Sequence, residues 1–267
     1  MTFLAEPFRT HWLSKKPLQE LCKLEGEIYR EVKSRKTFRF EFKGKFYFAK
    51  LHFGIGWQEI FKDIFQLRLP IVSAKNEWEA IAKLKQLNLE TMNPVGFGSI
   101  GINPARVNSF IITEELSNTI NLEDFCRDWK TQPPSFPVKL ALIRKIAYIS
   151  RTMHGAGMCH RDYYLCHFHL ERASLNQSNV QLSLIDLHRA LIKKNLSQRW
   201  LIKDIAGLHF SSMDIGLSAR DKLRFMRLYS GQPLRKNLRD ENGFWGNVSS
   251  RALKLYAKNK RAVKAAL

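Results

Sequence analysis

The chain has 267 residues, of which 45% are hydrophobic and 25% are charged, as in an ordinary globular protein. Lys and Arg number 44 against 24 Asp and Glu, so the formal net charge is +20. These values argue against a disordered chain, and the charge predicts an anionic partner: nucleic acid, anionic lipid, a phosphorylated glycan or an acidic protein.

The cysteines and the N-terminus indicate a soluble protein of the cytoplasm. No two of the four cysteines form a Cys-x-x-Cys pair, so a zinc site is not expected and the thiols should be reduced. We expect Cys166 to pack rather than to act as a nucleophile. Residues 1–12 lack the apolar core of a signal peptide, and no apolar stretch is long enough to span a membrane. Any work at a membrane is therefore expected at its surface.

The N-terminal part of the chain has strand and helix signals in alternation. Apolar residues alternate with polar ones through residues 38–52 around Gly44, which predicts a β-hairpin, and residues 30–33 supply a preceding strand. Residues at helical spacing follow in the segment 54–70. A helix is predicted from Ser73 to Leu87, with Ser73 as its N-cap, and a buried strand at residues 110–113.

The C-terminal part has mainly helical signals. Residues 117–121 are predicted to be a connector, and the prolines of residues 131–137 exclude a regular helix there. The clearest helix runs from Val138 to Met153, and a short strand at residues 182–187 carries Asp186. Residues 251–267 form a basic C-terminal helix, either solvated or docked on an anionic partner.

This order predicts an α+β fold of two lobes. Residues 1–116 form a small β-rich N-terminal lobe, and residues 117–267 form a mainly helical C-terminal lobe.

The tripeptide His160-Arg161-Asp162 follows the long predicted helix and precedes the strand with Asp186. Protein kinases have this arrangement, in which the Asp orients the acceptor hydroxyl and accepts its proton. We therefore predict that Asp162 is the catalytic carboxylate. Three residues flank Asp162 in the sequence and are therefore expected near the acceptor: Arg161, Tyr163 and Tyr164.

Two further residues are predicted to hold magnesium. Asp186 stands where the kinase Asp-Phe-Gly motif has its metal-binding Asp, although Leu and His follow it here. His167 stands five residues after Asp162, where kinases have a metal-binding Asn. Magnesium prefers oxygen ligands, so His167 is either a ligand or a hydrogen-bonding residue of the loop.

The nucleotide phosphates are predicted to contact Lys50, which ends a strand in the way of the kinase Val-Ala-Ile-Lys motif. Glu77 is the best candidate for the acid that holds this lysine, and Glu79 is the next. No glycine lies in residues 32–37, where a Gly-rich loop would be expected, and basic side chains there could hold phosphates instead.

The sequence around these residues resembles that of a known family. The likeness lies in runs at residues 47–52, 75–79, 160–169, 204–212 and 216–225, and it covers the chain from about Gly26 to Tyr229. The chain resembles the lipopolysaccharide core heptose kinases of Gram-negative bacteria, and most closely the members that act on the first heptose.

The resemblance implies a protein-kinase-like fold, ATP with Mg²⁺, and a heptose hydroxyl of nascent lipid A-core as the acceptor. It implies a peripheral place at the cytoplasmic face of the inner membrane, on its anionic surface. Members of the family are associated with acyl carrier protein, which makes that acidic protein a candidate partner. The resemblance also implies that Asp204 braces the catalytic loop.

Two other functions compete with a heptose kinase. The departures at His167, Asp186-Leu187-His188 and the Gly-rich loop would suit a pseudokinase, or a basic protein that binds lipid or acyl carrier. Charge alone suggests a nucleic-acid-binding protein, but no helix-turn-helix, zinc or single-strand-binding motif supports it, so no nucleic acid is expected.

Overall fold

The computed structural model describes residues 1–12, 14–32, 34–65, 70–176, 180–239 and 243–266. The chain divides into two compact units. The first contains Met1–Lys83, Met92–Ser117 and Leu187–Arg189, and the second contains Leu84–Thr91, Asn118–Asp186 and Ala190–Leu267. Strands dominate the first unit and helices the second, so the α+β prediction is confirmed.

The regular elements are numbered in chain order. The strands are β1 (Thr2–Leu4), β2 (Glu27–Val32), β3 (Arg35–Phe42), β4 (Lys45–His52), β5 (Pro94–Ile100), β6 (Asn108–Glu114), β7 (Thr119–Asn121), β8 (Met158–Cys159), β9 (Phe168–Glu171), β10 (Leu182–Leu184) and β11 (Leu191–Ile192). The α-helices are α1 (Phe8–Trp12), α2 (Pro17–Lys23), α3 (Gly56–Phe65), α4 (Lys75–Gln86), α5 (Leu122–Phe125), α6 (Phe136–Gly155), α7 (Gln198–Ser211), α8 (Ala219–Ser230), α9 (Leu234–Leu238) and α10 (Phe244–Ala266).

The first unit is built on an antiparallel sheet in which the strands lie in the order β1-β5-β6-β4-β3-β2. The predicted hairpin is β3–β4, and its turn residues Lys43 and Gly44 have φ of 51° and 72°, as a tight two-residue hairpin turn requires. One face of the sheet is an aromatic core in which Phe40 and Tyr47 pack on Phe8 of α1. Strand β1 and helix α1 were not predicted, because each is too short to show a period.

Two helices of the first unit follow the hairpin. Helix α4 was predicted at Ser73–Leu87, and the amide N–H of Lys75 donates to the Ser73 hydroxyl at 3.3 Å. Its Trp78 stacks on Phe97, with ring centroids 5.1 Å apart. Helix α3 exposes large apolar side chains on one side: Trp57, Phe61, Ile64 and Phe65.

The long helix α6 of the second unit extends the predicted helix at both ends. It begins at Phe136 with Pro137 in its first turn, where a helix needs no N–H from the proline. The prediction that residues 131–137 contain no regular helix was therefore wrong for residues 136 and 137. After Gly155, Gly157 takes φ 79°, and a Cβ there would lie 2.1 Å from the Lys193 carbonyl oxygen. Only glycine fits this close approach.

Two short segments differ from their predictions. The predicted connector contains β7, which pairs with β9 about fifty residues later, and such a non-local pairing leaves no local pattern. The predicted strand at residues 182–187 ends at Leu184, because Asp186 has φ 58° and residues Leu187–Arg189 form a 3₁₀ turn.

The C-terminal helix is present and begins earlier than predicted. Helix α10 starts at Phe244 and buries Val248 and Ala252, while Leu253 and most of its basic side chains are exposed. The side chains of residues 263–267, which belong to the predicted basic helix, lie outside those described. None of the described helices combines the length and apolar character needed to cross a membrane.

Candidate active site

The segment with Asp162 directly follows β8 and is fixed through its backbone. The Asp204 carboxylate of α7 accepts from the N–H of His160 at 2.6 Å and from the N–H of Arg161 at 2.8 Å. Arg161 has φ 73°, a conformation that costs energy for a side chain other than glycine. Two charge-assisted hydrogen bonds to the same carboxylate offset this cost, so Asp204 braces the loop.

One face of α7 contacts this loop through three residues. Besides Asp204, these are Gly207 and Ser211, at helical spacings of three and four residues. A Cβ on Gly207 would lie 3.0 Å from the Tyr163 carbonyl oxygen, and the Ser211 hydroxyl accepts from the Leu165 N–H at 3.0 Å. Sequence reasoning missed Gly207 and Ser211, although their spacing from Asp204 was visible.

His160 joins the loop to the segment before Asp186. Its Nδ1 accepts from the Asp162 N–H at 3.3 Å, so its Nε2 carries the proton and donates to the Ile185 carbonyl oxygen at 2.8 Å. Burial lowers the pKa of His160, which keeps the ring neutral and preserves this tautomer. Asp162 and the residue before Asp186 are thus connected through one imidazole.

The His167 ring lies near both predicted acidic residues. Its Nδ1 lies 2.7 Å from the Asp162 carbonyl oxygen, which can only accept, so Nδ1 is the donor. The other ring nitrogen, Nε2, lies 3.7 Å from Asp186 Oδ2. Both possibilities left open for His167 are compatible with this geometry, because each uses a different nitrogen.

Magnesium suits part of this donor set. Mg²⁺ binds one or two protein carboxylates and completes its shell with water and substrate phosphates, which fits Asp186, whose side chain is partly exposed. The imidazole of His167 is a weaker ligand for a hard cation. Within the described ranges, no three His, Cys, Asp or Glu side chains form a group that could hold a metal ion by themselves.

A further histidine contacts Asp204 and was not predicted from the sequence. His154, near the end of α6, has Nε2 3.3 Å from Asp204 Oδ2 and Nδ1 2.8 Å from the Tyr229 hydroxyl of α8. Burial raises the pKa of Tyr229 above its usual range, so this hydroxyl stays protonated. The Asp204 carboxylate therefore has a contact outside the loop as well.

The side chains near the predicted acceptor differ in exposure. Tyr163 is only 1% exposed and its hydroxyl bonds to Ser150 at 2.8 Å, so it is a core residue and cannot contact an acceptor. Arg161 is also buried, with its guanidinium 5.2 Å from the centre of the Trp200 ring. Tyr164 is partly exposed.

The predicted lysine–acid pair lies in the first unit. Lys50 Nζ is 2.7 Å from Glu77 Oε1, and the Glu77 side chain is 1% exposed. Glu79 was the second candidate, and its Oε1 instead lies 3.6 Å from Nζ of the exposed Lys75. Strand β4 and helix α4 therefore bring together Lys50 and Glu77, the first of the two predicted acids.

All four cysteines, which the structure describes, have free thiols. Cys166 is partly buried, and burial, followed by the nearby Glu123, raises its pKa to about 11. A protonated thiol is a poor nucleophile, which agrees with a packing role.

The second unit also contains an apolar cavity of about 180 Å³. Its walls come from α6, α7, α8 and α10, and include Leu142, Ile143, Ile205, Leu208 and Val248. The ion pair of Lys139 with Asp221, at 3.1 Å, lines part of it.

Comparison with known proteins gives one consistent family. The model of the lipopolysaccharide kinase (Kdo/WaaP) family matches residues 19–229. The chain belongs to this family. It is 46% identical to a lipopolysaccharide core heptose(I) kinase WaaP of Escherichia coli over 96% of this chain and 97% of that protein. The corresponding protein of Pseudomonas aeruginosa is 44% identical, with 97% of both chains covered.

A solved structure of the family agrees in fold. It is described as WaaP in complex with acyl carrier protein, and it matches this chain with a TM-score of 0.83 and 41% sequence identity, over 96% of this chain and 99% of that one. The predictions of a heptose kinase family, a protein-kinase-like fold and a phosphotransferase are thereby confirmed.

Proposed function

We propose that this chain is an ATP-dependent kinase that phosphorylates the first heptose of the lipopolysaccharide inner core. The observation that carries the proposal is the 46% identity to a heptose(I) kinase over almost the full length of both chains. The pseudokinase alternative is not favoured, because the chain retains Lys50, Asp162 and Asp186 and holds the Asp162 loop by two hydrogen bonds to Asp204.

Asp162 is proposed to orient the heptose hydroxyl and to accept its proton. The heptose oxygen forms a bond to the γ-phosphorus of ATP, and the bond from that phosphorus to the oxygen of the departing ADP breaks. Phosphoryl transfer needs positioning and charge neutralisation more than covalent help from the protein. A carboxylate on a loop braced by Asp204 meets the first requirement, because its backbone is fixed before the acceptor binds.

The remaining site residues are proposed to hold the phosphates and the metal ion. Lys50, kept in place by Glu77, neutralises charge on the phosphates of ATP. Asp186 would hold Mg²⁺, with His167 Nε2 as a neighbouring ligand or as a hydrogen-bond acceptor for metal-bound water. When bound, Mg²⁺ supplies positive charge against the phosphate oxygens.

Acyl carrier protein is proposed as a partner of this chain, because the solved relative is described in complex with it. A chain with a net charge of +20 suits an acidic protein. We further propose that the apolar cavity between α6, α7, α8 and α10 takes the acyl group of the carrier, since apolar walls favour a hydrocarbon chain. Native mass spectrometry should then show tighter binding of acylated than of unacylated carrier. Equal binding would contradict an acyl site.

The lipid-linked acceptor requires work at a membrane, and we propose a peripheral place at the cytoplasmic face of the inner membrane. Helix α3 offers exposed Trp57, Phe61, Ile64 and Phe65, which suit the headgroup region, and the basic charge suits anionic lipid. Sedimentation with phosphatidylglycerol-rich vesicles tests this: Phe61→Ser with Phe65→Ser should reduce the bound fraction. Unchanged binding would remove α3 from the docking surface.

The function itself is tested in cells. A Gram-negative strain that lacks its own heptose(I) kinase is complemented with wild-type protein, with Asp162→Asn, or with Asp214→Asn as a matched control at an exposed acid. Mass spectrometry of the core should show one added phosphate on the first heptose for the wild type and the control, and none for Asp162→Asn. Phosphorylation by Asp162→Asn at the wild-type level would overturn the proposal.

A further inference from the structure

The connection between β2 and β3 is too short to wrap a phosphate. Val32 pairs with Arg35, so only Lys33 and Ser34 separate the two strands, and Lys33 lies outside the described residues. A kinase Gly-rich loop has the pattern G-x-G-x-x-G and covers the phosphates with its backbone. Residues 32–37 contain no glycine, so the backbone cradle of that pattern is not expected here and side chains are the alternative.

Side chains next to this turn lie on the same face of the sheet as Lys50. Arg35 lies directly opposite His52 in the β3–β4 pairing, and Thr37 lies directly opposite Lys50. Residues that face each other in an antiparallel pair point to the same side, as do residues two apart on one strand. The neighbouring residues Phe38, Ala49 and Leu51 point to the other side and belong to the aromatic core.

Among the residues that the structure describes, two buried polar groups on this face have no hydrogen-bond partner. They are the Thr37 hydroxyl and His52 Nε2, on side chains that are 9% and 2% exposed. Burial and the neighbouring Arg35 and Lys50 lower the pKa of His52 to about 3, so the ring is neutral at pH 7. Buried polar groups without partners reduce stability, and a ligand with several acceptor oxygens would satisfy both.

We propose that Arg35 and Thr37 of β3, together with Lys50 and His52 of β4, bind the phosphates of the nucleotide with side chains in place of a Gly-rich loop. This inference rests on the proposed function. An arginine is suited to the task, because its planar guanidinium forms two parallel hydrogen bonds to phosphate oxygens and keeps its charge at every working pH. A hydroxyl and a neutral imidazole each add one donor.

The competing explanation is that Arg35 only stabilises the end of the hairpin. Binding of ADP and of adenosine separates the two explanations, because adenosine has no phosphate. Isothermal titration is carried out in Mg²⁺ buffer with wild type, Arg35→Met and Arg35→Lys. Lys36→Met is the matched control: it removes the same charge from the same strand, but its side chain lies on the face of Phe38.

We expect Arg35→Met to weaken ADP binding by about 10- to 100-fold, the effect of losing charge-assisted hydrogen bonds, and to leave adenosine binding unchanged. Arg35→Lys should recover part of the loss, and Lys36→Met should behave as wild type. Equal losses for ADP and adenosine, or wild-type ADP binding by Arg35→Met, would overturn the inference while leaving the kinase intact. Absence of ADP binding by wild type would overturn the proposed function together with it.

Discussion

Replacement of Asp204 by Asn tests how the loop that carries Asp162 is held. The carboxylate accepts from the N–H groups of His160 and Arg161 with separate oxygens, at 2.6 and 2.8 Å. An Asn side chain has one oxygen, so its NH₂ group must face one of these buried N–H donors. His154, whose Nε2 lies 3.3 Å from the Asp204 carboxylate, also loses its charged neighbour.

The cost follows from these contacts. One buried N–H loses its partner and the other exchanges a charged acceptor for a neutral one, which together should lower the free energy of unfolding by about 2–4 kcal/mol. Arg161, at φ 73°, is then no longer fixed, and the next residue is Asp162. A displacement of the carboxylate by about 1 Å costs on the order of 100-fold in turnover.

Urea denaturation gives the stability, and initial rates with phosphate-free core lipopolysaccharide give kcat. ADP binding by the folded variant should stay at the wild-type value, since the change concerns only the proposed catalytic loop. Asp214→Asn is the control: this exposed acid accepts from the Tyr256 hydroxyl, and its loss should change stability by less than about 0.5 kcal/mol. A variant at position 204 with wild-type stability and kcat would refute the bracing role.

Further predictions concern three other groups. Glu77→Gln should raise the KM for ATP about 10-fold in steady-state kinetics, because Lys50 loses its carboxylate, whereas Glu79→Gln should not. His52 takes up a proton on unfolding between its folded pKa of about 3 and its ordinary 6.5, so wild type should lose about 2 kcal/mol of stability from pH 7 to pH 5 that His52→Gln does not lose. An equal loss of stability by wild type and His52→Gln would contradict the lowered pKa of His52. The thiols of Cys126 and Cys159, whose pKa burial raises to about 12, should react with DTNB only in denaturant.

The parts of the fold that carry a local period were predictable from the sequence. Helices α4 and α6 repeat apolar residues every three or four positions, and the hairpin alternates around Lys43-Gly44, so each was found within about three residues. The Lys50–Glu77 pairing followed from a strand lysine and a helix acid with known kinase counterparts.

The remaining features depend on contacts between distant residues. Strand β7 exists because β9 pairs with it, and His154 meets Tyr229 and Asp204 only after three helices have packed. Burial of Tyr163 likewise could not be read from its place beside Asp162. The left-handed backbone of Asp186 ends the strand early. Aspartate adopts this conformation more often than most residues, but most aspartates do not, so its residue type alone does not predict it.

Transfer of labelled γ-phosphate from ATP to heptose-containing, phosphate-free core lipopolysaccharide tests the central claim most directly, with wild type and Asp162→Asn compared under the same conditions. Magnesium-dependent labelling of the first heptose by wild type, and its loss in a folded Asp162→Asn protein, is the predicted result. No labelling by folded wild type, even with acylated carrier protein and lipid vesicles present, would contradict the assignment as a heptose kinase.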